Sequence, residues 1–196
     1  MLRFAAELRI TARTSVLDIG GTPEYWDLLP VKPRFTLLNT PRAKADLSGA
    51  TGWVGGDGRA LPFRDGAFDI VFSNSVIEHV GNWDSQWRFA REVMRVGRAY
   101  WVQTPNRWFP VEQHLLTPFI HWVPARWQRA IAPRVNLWQL VTRPAEDRRR
   151  FYLEHYLQDV RLLAAGELAR LFPGARLIRE RVLGWTKSLV ALRTVS

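Results

Sequence analysis

Ser15-Val-Leu-Asp-Ile-Gly-Gly-Thr-Pro-Glu-Tyr-Trp26 reads as a strand, a glycine turn and a helix start. Val16, Leu17 and Ile19 form a short apolar run of the kind a buried strand needs. Gly20 and Gly21 turn the chain and let the backbone approach a ligand that a Cβ would push away. Thr22 is a residue type that caps helix N-termini, and Pro23 follows at the first helical position, where its missing N–H costs nothing. A helix starting there turns its unpaired N–H groups toward the end of the strand.

The same rhythm extends outward. Upstream, residues 3–13 predict a short amphipathic helix, with Leu2, Ala5, Ala6, Leu8 and Ile10 on its apolar side. Downstream, strands are expected at 34–39, 53–55, 68–73 and 99–103, with a loop at 57–66 marked by Pro62 and Asp65-Gly66. Asn82 or Asp84 can cap a helix to Val96, whose apolar positions Trp83, Trp87, Ala90, Val93, Met94 and Val96 recur at helical spacing before Gly97 stops it. A helix at 165–171 and strands at 175–182 and 188–193, paired as a hairpin with Gly184-Trp185 near its turn, close the chain. Strands alternating with helices predict a parallel α/β sheet, with right-handed connections and a ligand at the strands' C-terminal ends.

With 196 residues the chain suits one domain, 1–196, carrying an insertion, and a hydrophobic fraction of 47% excludes wholesale disorder. No cysteine is present, which removes disulfides, cysteine-ligated zinc, iron–sulfur clusters and thiol nucleophiles. No apolar run reaches the roughly 20 residues of a membrane span, and Met1–Arg13 has no stretch of signal length, so neither is expected. The expected location is the cytoplasm, with peripheral attachment at the inner membrane face as the variant the charge allows. A net charge of +10 favours anionic partners, although only three of the 28 basic residues are lysines and many of the arginines can simply be solvated.

Residues 16–26, VLDIGGTPEYW, followed by 56–80, GDGRALPFRDGAFDIVFSNSVIEHV, resemble the class I S-adenosylmethionine-dependent methyltransferases of the small bacterial type-11 kind. The likeness covers 15–105 and, loosely, the closing strands; its second block is the more specific. It implies a Rossmann-like, doubly wound sheet of seven mostly parallel strands and S-adenosylmethionine as cofactor. By the same resemblance Asp18 contacts the cofactor's ammonium group, and Gly20, Gly21 and Thr22 face its amino acid moiety. Asn39 stands where the family places an acidic residue that holds both ribose hydroxyls. Asp57, with Gly58 beside it, accepts a bond from the adenine amine, and Ser73 and Asn74 lie beside the methyl group. The chain departs from the family's Asp-x-Gly-x-Gly-x-Gly motif at Thr22 and Glu24, and Asn39 offers neutral hydrogen bonds in place of stronger charged ones.

Residues 104–160 break the rhythm with six prolines and four tryptophans, and predict an inserted helical lid that forms the acceptor pocket. Glu112 and His114 are the candidate catalytic pair, placed to deprotonate an acceptor, while bracing the lid is their structural alternative. No metal site is expected, because a third ligand cannot be named. Glu78 and His79 look catalytic, but a short helix after the fourth strand would leave His79 capping or packing. Phe151–Leu157 reads as a helix over the site, with His155 as a second candidate. Between Arg107 and Arg143 there are five arginines, four tryptophans and a single acid, Glu112, a mixture that suits either an anionic membrane surface or a lipid-like substrate pocket.

The expected acceptor is a small or lipid-like molecule. An RNA methyltransferase is the competing enzyme, disfavoured by the lack of an appended RNA-binding module and of an Asn/Asp-Pro-Pro-Tyr motif, although nucleic acid is not excluded. A non-catalytic binding protein on the same fold is the competitor outside the enzymes. The oligomeric state is not legible in the sequence.

Overall fold

The computed structural model describes residues 1–41, 50–112, 116–132, 142–146 and 160–195. Nine strands are assigned among them: β1 (Ser15–Ile19), β2 (Arg34–Asn39), β3 (Gly52–Gly55), β4 (Phe68–Asn74), β5 (Gly97–Pro105), β6 (Val111–Glu112), β7 (Thr117–Pro118), β8 (Arg176–Val182) and β9 (Trp185–Arg193). The helices are α1 (Leu2–Glu7), α2 (Trp83–Val96), α3 (Ala125–Ile131) and α4 (Ala165–Leu171).

Seven strands form one sheet in the order β3-β2-β1-β4-β5-β9-β8. The first five are parallel, and β9 runs antiparallel to both β5 and β8. The expected Rossmann-like, mostly parallel architecture is therefore present. Both faces are covered, so β1 is apolar in nearly continuous sequence and not in alternation. Leu17 and Ile19 pack with Val71, Phe89, Val93 and Val102 on one side of the sheet. Val16 packs with Phe4, Trp26, Phe35, Phe72 and Trp101 on the other. Because β1 pairs with β2 on one side and β4 on the other, the crossovers leave in opposite directions and open a crevice at the C-terminal ends.

Helix α2 spans the expected residues, but its buried face is not quite the expected one: Trp87 is exposed, and Gln86 and Phe89 are buried in its place. Asn82 caps it by accepting from the Ser85 N–H at 3.0 Å, and Phe89, Ala90, Val93 and Val96 are buried. Gly97 ends it in extended backbone as the first residue of β5.

Four expectations need correction. The first helix stops at Glu7, well short of residue 13. Pro23–Leu28 is a six-residue 3-10 helix, and the Thr22 side chain makes no capping hydrogen bond. The last turn is Leu183-Gly184, both at positive φ, so β9 already begins at Trp185; this two-residue pattern matches the twist of the flanking strands. The insertion opens with the β6–β7 hairpin before any helix, followed by a 3-10 turn at Ile120–Trp122 and by α3.

Candidate functional site

A cleft of about 860 Å³ opens at the C-terminal ends of β1 and β2, between the loop after β3 and the turn after β4. That volume is in the range of small-molecule and cofactor sites. Its apolar wall is Ile19, Leu38 and Phe89, and its polar groups include Asn39, Asp57, Arg59 and His79.

The turn after β1 is held by protein atoms. Gly20 has φ +77°, donates its N–H to the Leu38 carbonyl at 2.8 Å, and has no room for a Cβ, which would lie 2.5 Å from Val76 Cγ2. A Cβ on Gly21 would lie 1.9 Å from Asp18 Oδ2. These glycines leave space for Val76 and Asp18, although Gly20 also lines the cleft. Asp18 does not reach the cleft. Alternation along β1 sends Ile19 to the cleft side and Asp18 to the opposite face, under Trp26. There the Trp26 indole N–H donates to Asp18 Oδ2 at 2.8 Å, and Oδ1 has no partner among the described residues. Burial pushes the Asp18 carboxyl up to about 7, against the smaller downward pull of the indole.

Asn39, at the end of β2, lines the cleft and is fixed by donating Nδ2–H to the Gly21 carbonyl at 3.1 Å. Asp57 and Gly58 line it as well. A Cβ on Gly58 would lie 2.8 Å from the Phe89 ring, so glycine lets the loop rest on the cleft floor. Asp57 is clamped by Arg59, which donates Nη2–H at 2.6 Å, Nε–H at 2.9 Å and its backbone N–H at 2.9 Å. This clamp holds the carboxyl below its ordinary range, and Arg59 also reaches the Val80 carbonyl at 3.3 Å, tying the two lips of the cleft together. Arg59 was legible only as the second residue after Asp57; nothing local in the sequence distinguishes it from a solvated arginine.

His79 is a further gain. On the 3-10 turn Ile77–His79, Glu78 is buried and accepts from Thr104 Oγ1 at 3.0 Å, while His79 is exposed on the cleft. A three-fold turn separates successive side chains by about 120°, so the pair divides between core and cleft.

The remaining candidates are placed elsewhere. Thr22 is exposed and does not line the cleft. Ser73 is fully buried beside Ile19, and its hydroxyl has no partner among the described residues. Asn74 faces the other side of the sheet, in a dent of about 90 Å³ shared with Tyr25 and Gln103; its Nδ2 lies 3.5 Å from the Tyr25 hydroxyl. Glu112 is 1% exposed, opposite Thr117 in the β6–β7 hairpin, and is not part of the cleft wall. Near it His121 contacts the Arg107 carbonyl through Nε2 at 2.8 Å, and burial lowers its pKa. His114, His155 and the 151–157 helix lie outside the described residues. Among the described residues no three His, Asp or Glu side chains converge to hold a metal, and no helix is long and apolar enough to cross a membrane.

Residues 24–99, which contain β2, β3, the Asp57 loop, β4 and α2, match the methyltransferase domain family. An uncharacterised methyltransferase of Mycolicibacterium gilvum is 34% identical over 97 residues, covering 45% of this chain and 36% of that protein. The chain thus spans little more than a third of the curated relatives it matches. Among solved structures, a SAM-dependent methyltransferase from Methanosarcina mazei superposes with TM-score 0.56 at 13% identity, over 98% of both chains. A protein of Rhodobacter sphaeroides whose name is that of a zinc-dependent alcohol dehydrogenase superposes with TM-score 0.63 at 10% identity, over 94% of this chain and 84% of that one. Likeness at such identity reports the fold, which hosts more than one chemistry.

Proposed function

We propose that the chain is a class I S-adenosylmethionine-dependent methyltransferase, a reading supported by its sheet and by the domain that residues 24–99 match, and that it methylates a small or lipid-like acceptor. The observation that carries this reading is the 860 Å³ cleft with Asn39 and Asp57 on its wall. The residues fit the cofactor. Ile19, Leu38 and Phe89 offer an apolar bed for a purine, and glycine at 58 keeps that bed open. Asp57 retains acceptor capacity beside Arg59 for an exocyclic amine, since a carboxylate has about four lone-pair sites. Asn39 supplies an amide for ribose hydroxyls, and the Gly20 backbone lets the ligand close on the end of β1.

When bound, the cofactor supplies an activated methyl group on a sulfonium. The chain's own contribution is to orient and desolvate, which accounts for much of the acceleration when a reaction needs alignment more than proton transfer. His79, exposed in the cleft, is the residue to which this reading assigns the proton leaving an acceptor. Glu112, buried in its hairpin, serves in this reading to brace the insertion.

Calorimetric titration with S-adenosylmethionine and its demethylated product tests the proposal. Micromolar binding that weakens at least about tenfold in Asp57→Ala, the loss of one well-placed charge-assisted hydrogen bond, supports it. A second reading, a non-catalytic binding protein, is favoured by one observation: Asp18 and Asp57 are both taken up by internal partners, Trp26 and Arg59. A folded protein that binds neither compound would select it.

A further inference from the structure

The segment after β5 exposes large apolar side chains that a monomeric surface ordinarily covers. Trp108 is 59% exposed, Phe119 52% and Trp127 54%, and Leu116, Trp122 and Ile131 are also exposed. They are contiguous in part: the Trp122 ring lies 6.3 Å from Trp108 and 5.1 Å from Phe119, centre to centre. The Trp122 indole donates to the Arg107 carbonyl at 2.9 Å, which pins it in this orientation. On α3, Trp127 and Ile131 are spaced i, i+4 and share one side of the helix. The loop places Leu116 and Phe119 at positive φ, and both point their side chains outward in spite of their size.

Charge identifies what such a surface meets. From 107 to 143 the sequence holds five arginines and one acid, Glu112, which is buried; of the arginines, Arg107 is paired with Glu167 at 3.0 Å. Arg126, next to Trp127, is exposed. Tryptophan and arginine around aliphatic side chains match the boundary of an anionic bilayer, where rings and arginine stems sit among acyl chains and guanidinium groups meet phosphates. A single-stranded nucleic acid would also meet cations and rings, but it gains little from Leu116 and Ile131, which offer no stacking face.

We propose that Trp108, Phe119, Trp122 and Trp127, with Arg126, form a docking surface for an anionic lipid membrane. The segment leaves the sheet at the end of β5, on the edge where the cleft opens. Docking therefore sets the cleft mouth beside the bilayer, and the methyl acceptor is a lipid-soluble molecule drawn from it; this last step rests on the methyl-transfer reading, whereas the docking does not.

Flotation of the full chain with phosphatidylcholine vesicles, with and without phosphatidylglycerol, tests the surface. The protein floats with the anionic vesicles, and partitioning falls by roughly tenfold for each ring removed in Trp108→Ser and Trp127→Ser. The thermal unfolding midpoint and the cofactor titration, run on the same preparations, stay unchanged in those variants. Partitioning that is equal in wild type and the double variant overturns the proposal, as does flotation abolished by high salt in the wild type, which would mean surface charge alone. Binding to single-stranded RNA in place of vesicles overturns it too. Vesicle binding that survives while the cofactor titration fails sinks the methyl-transfer reading and leaves the docking surface standing.

Discussion

At Asp18 a carboxyl group is held on the face of the sheet away from the cleft, with one oxygen under an indole and the other unpaired. Its pKa stands near 7 against 3.8 for the free side chain. The folded state therefore keeps a proton between those values that the unfolded chain has released, so stability falls as pH rises through that interval. At about 1.4 kcal/mol per pH unit the full effect is on the order of 4 kcal/mol. Denaturant unfolding near pH 5 and near pH 7.5 reads it: wild type is less stable at the higher pH, and Asp18→Asn, which can still accept from Trp26, loses that slope. An equal slope in both proteins would remove Asp18 from the account. Gly21→Ala drives a methyl group into the same carboxylate, at 1.9 Å before relaxation, and is expected to cost about 3 kcal/mol or more in unfolding free energy.

Among the elements, α2 and the final hairpin are governed by local chemistry. The Asn82 cap satisfies the Ser85 N–H, so Asn82→Ala costs about 1 kcal/mol and lowers the melting temperature by roughly 2–4 °C, measured by calorimetry. The bounds of this helix were legible because its cap is an asparagine and Gly97 ends it, whereas its buried face was legible only in part: Trp87 turns out to solvent and Phe89 takes the core position. The segment after β1 was not. Thr22-Pro23 has the residue types of a helix start, yet the helix that follows is 3-10 and its cap hydrogen bond is missing. What holds it is Trp26, buried against Phe35 with ring centres 4.9 Å apart and bonded to Asp18. That tertiary anchor overrides the local preference.

For the molecule as a whole, binding and stability are linked. A ligand that occupies the cleft at 100 times its dissociation constant adds about 2.7 kcal/mol to the folded state. For a chain of this size that raises the melting temperature by roughly 5–10 °C. A thermal shift with the demethylated cofactor shows this rise in wild type, and Asp57→Ala does not reproduce it at the same concentration. The absence of any shift in wild type would count against the cleft as the cofactor site.

The amino-acid sequence by itself determined the order and spacing of strands and helices, because apolar periodicity, capping residues and glycines act within a few residues of one another. It also determined that Asn39 falls at the C-terminal end of a strand and that Asp57 and Gly58 fall in a loop, since strand ends are set by the same local signals. Only the tertiary structure decided which side chains turn into the cleft. The side of the sheet that Asp18 faces depends on β1 being covered by Trp26, and the exposure of His79 beside a buried Glu78 depends on one turn of 3-10 helix. The bond from Arg59 to the Val80 carbonyl depends on two loops meeting across the cleft, 21 residues apart in the chain. Packing between separate elements decides the cover over Asp18 and the Arg59–Val80 link, and the division of Glu78 from His79 follows from the 3-10 geometry of their turn.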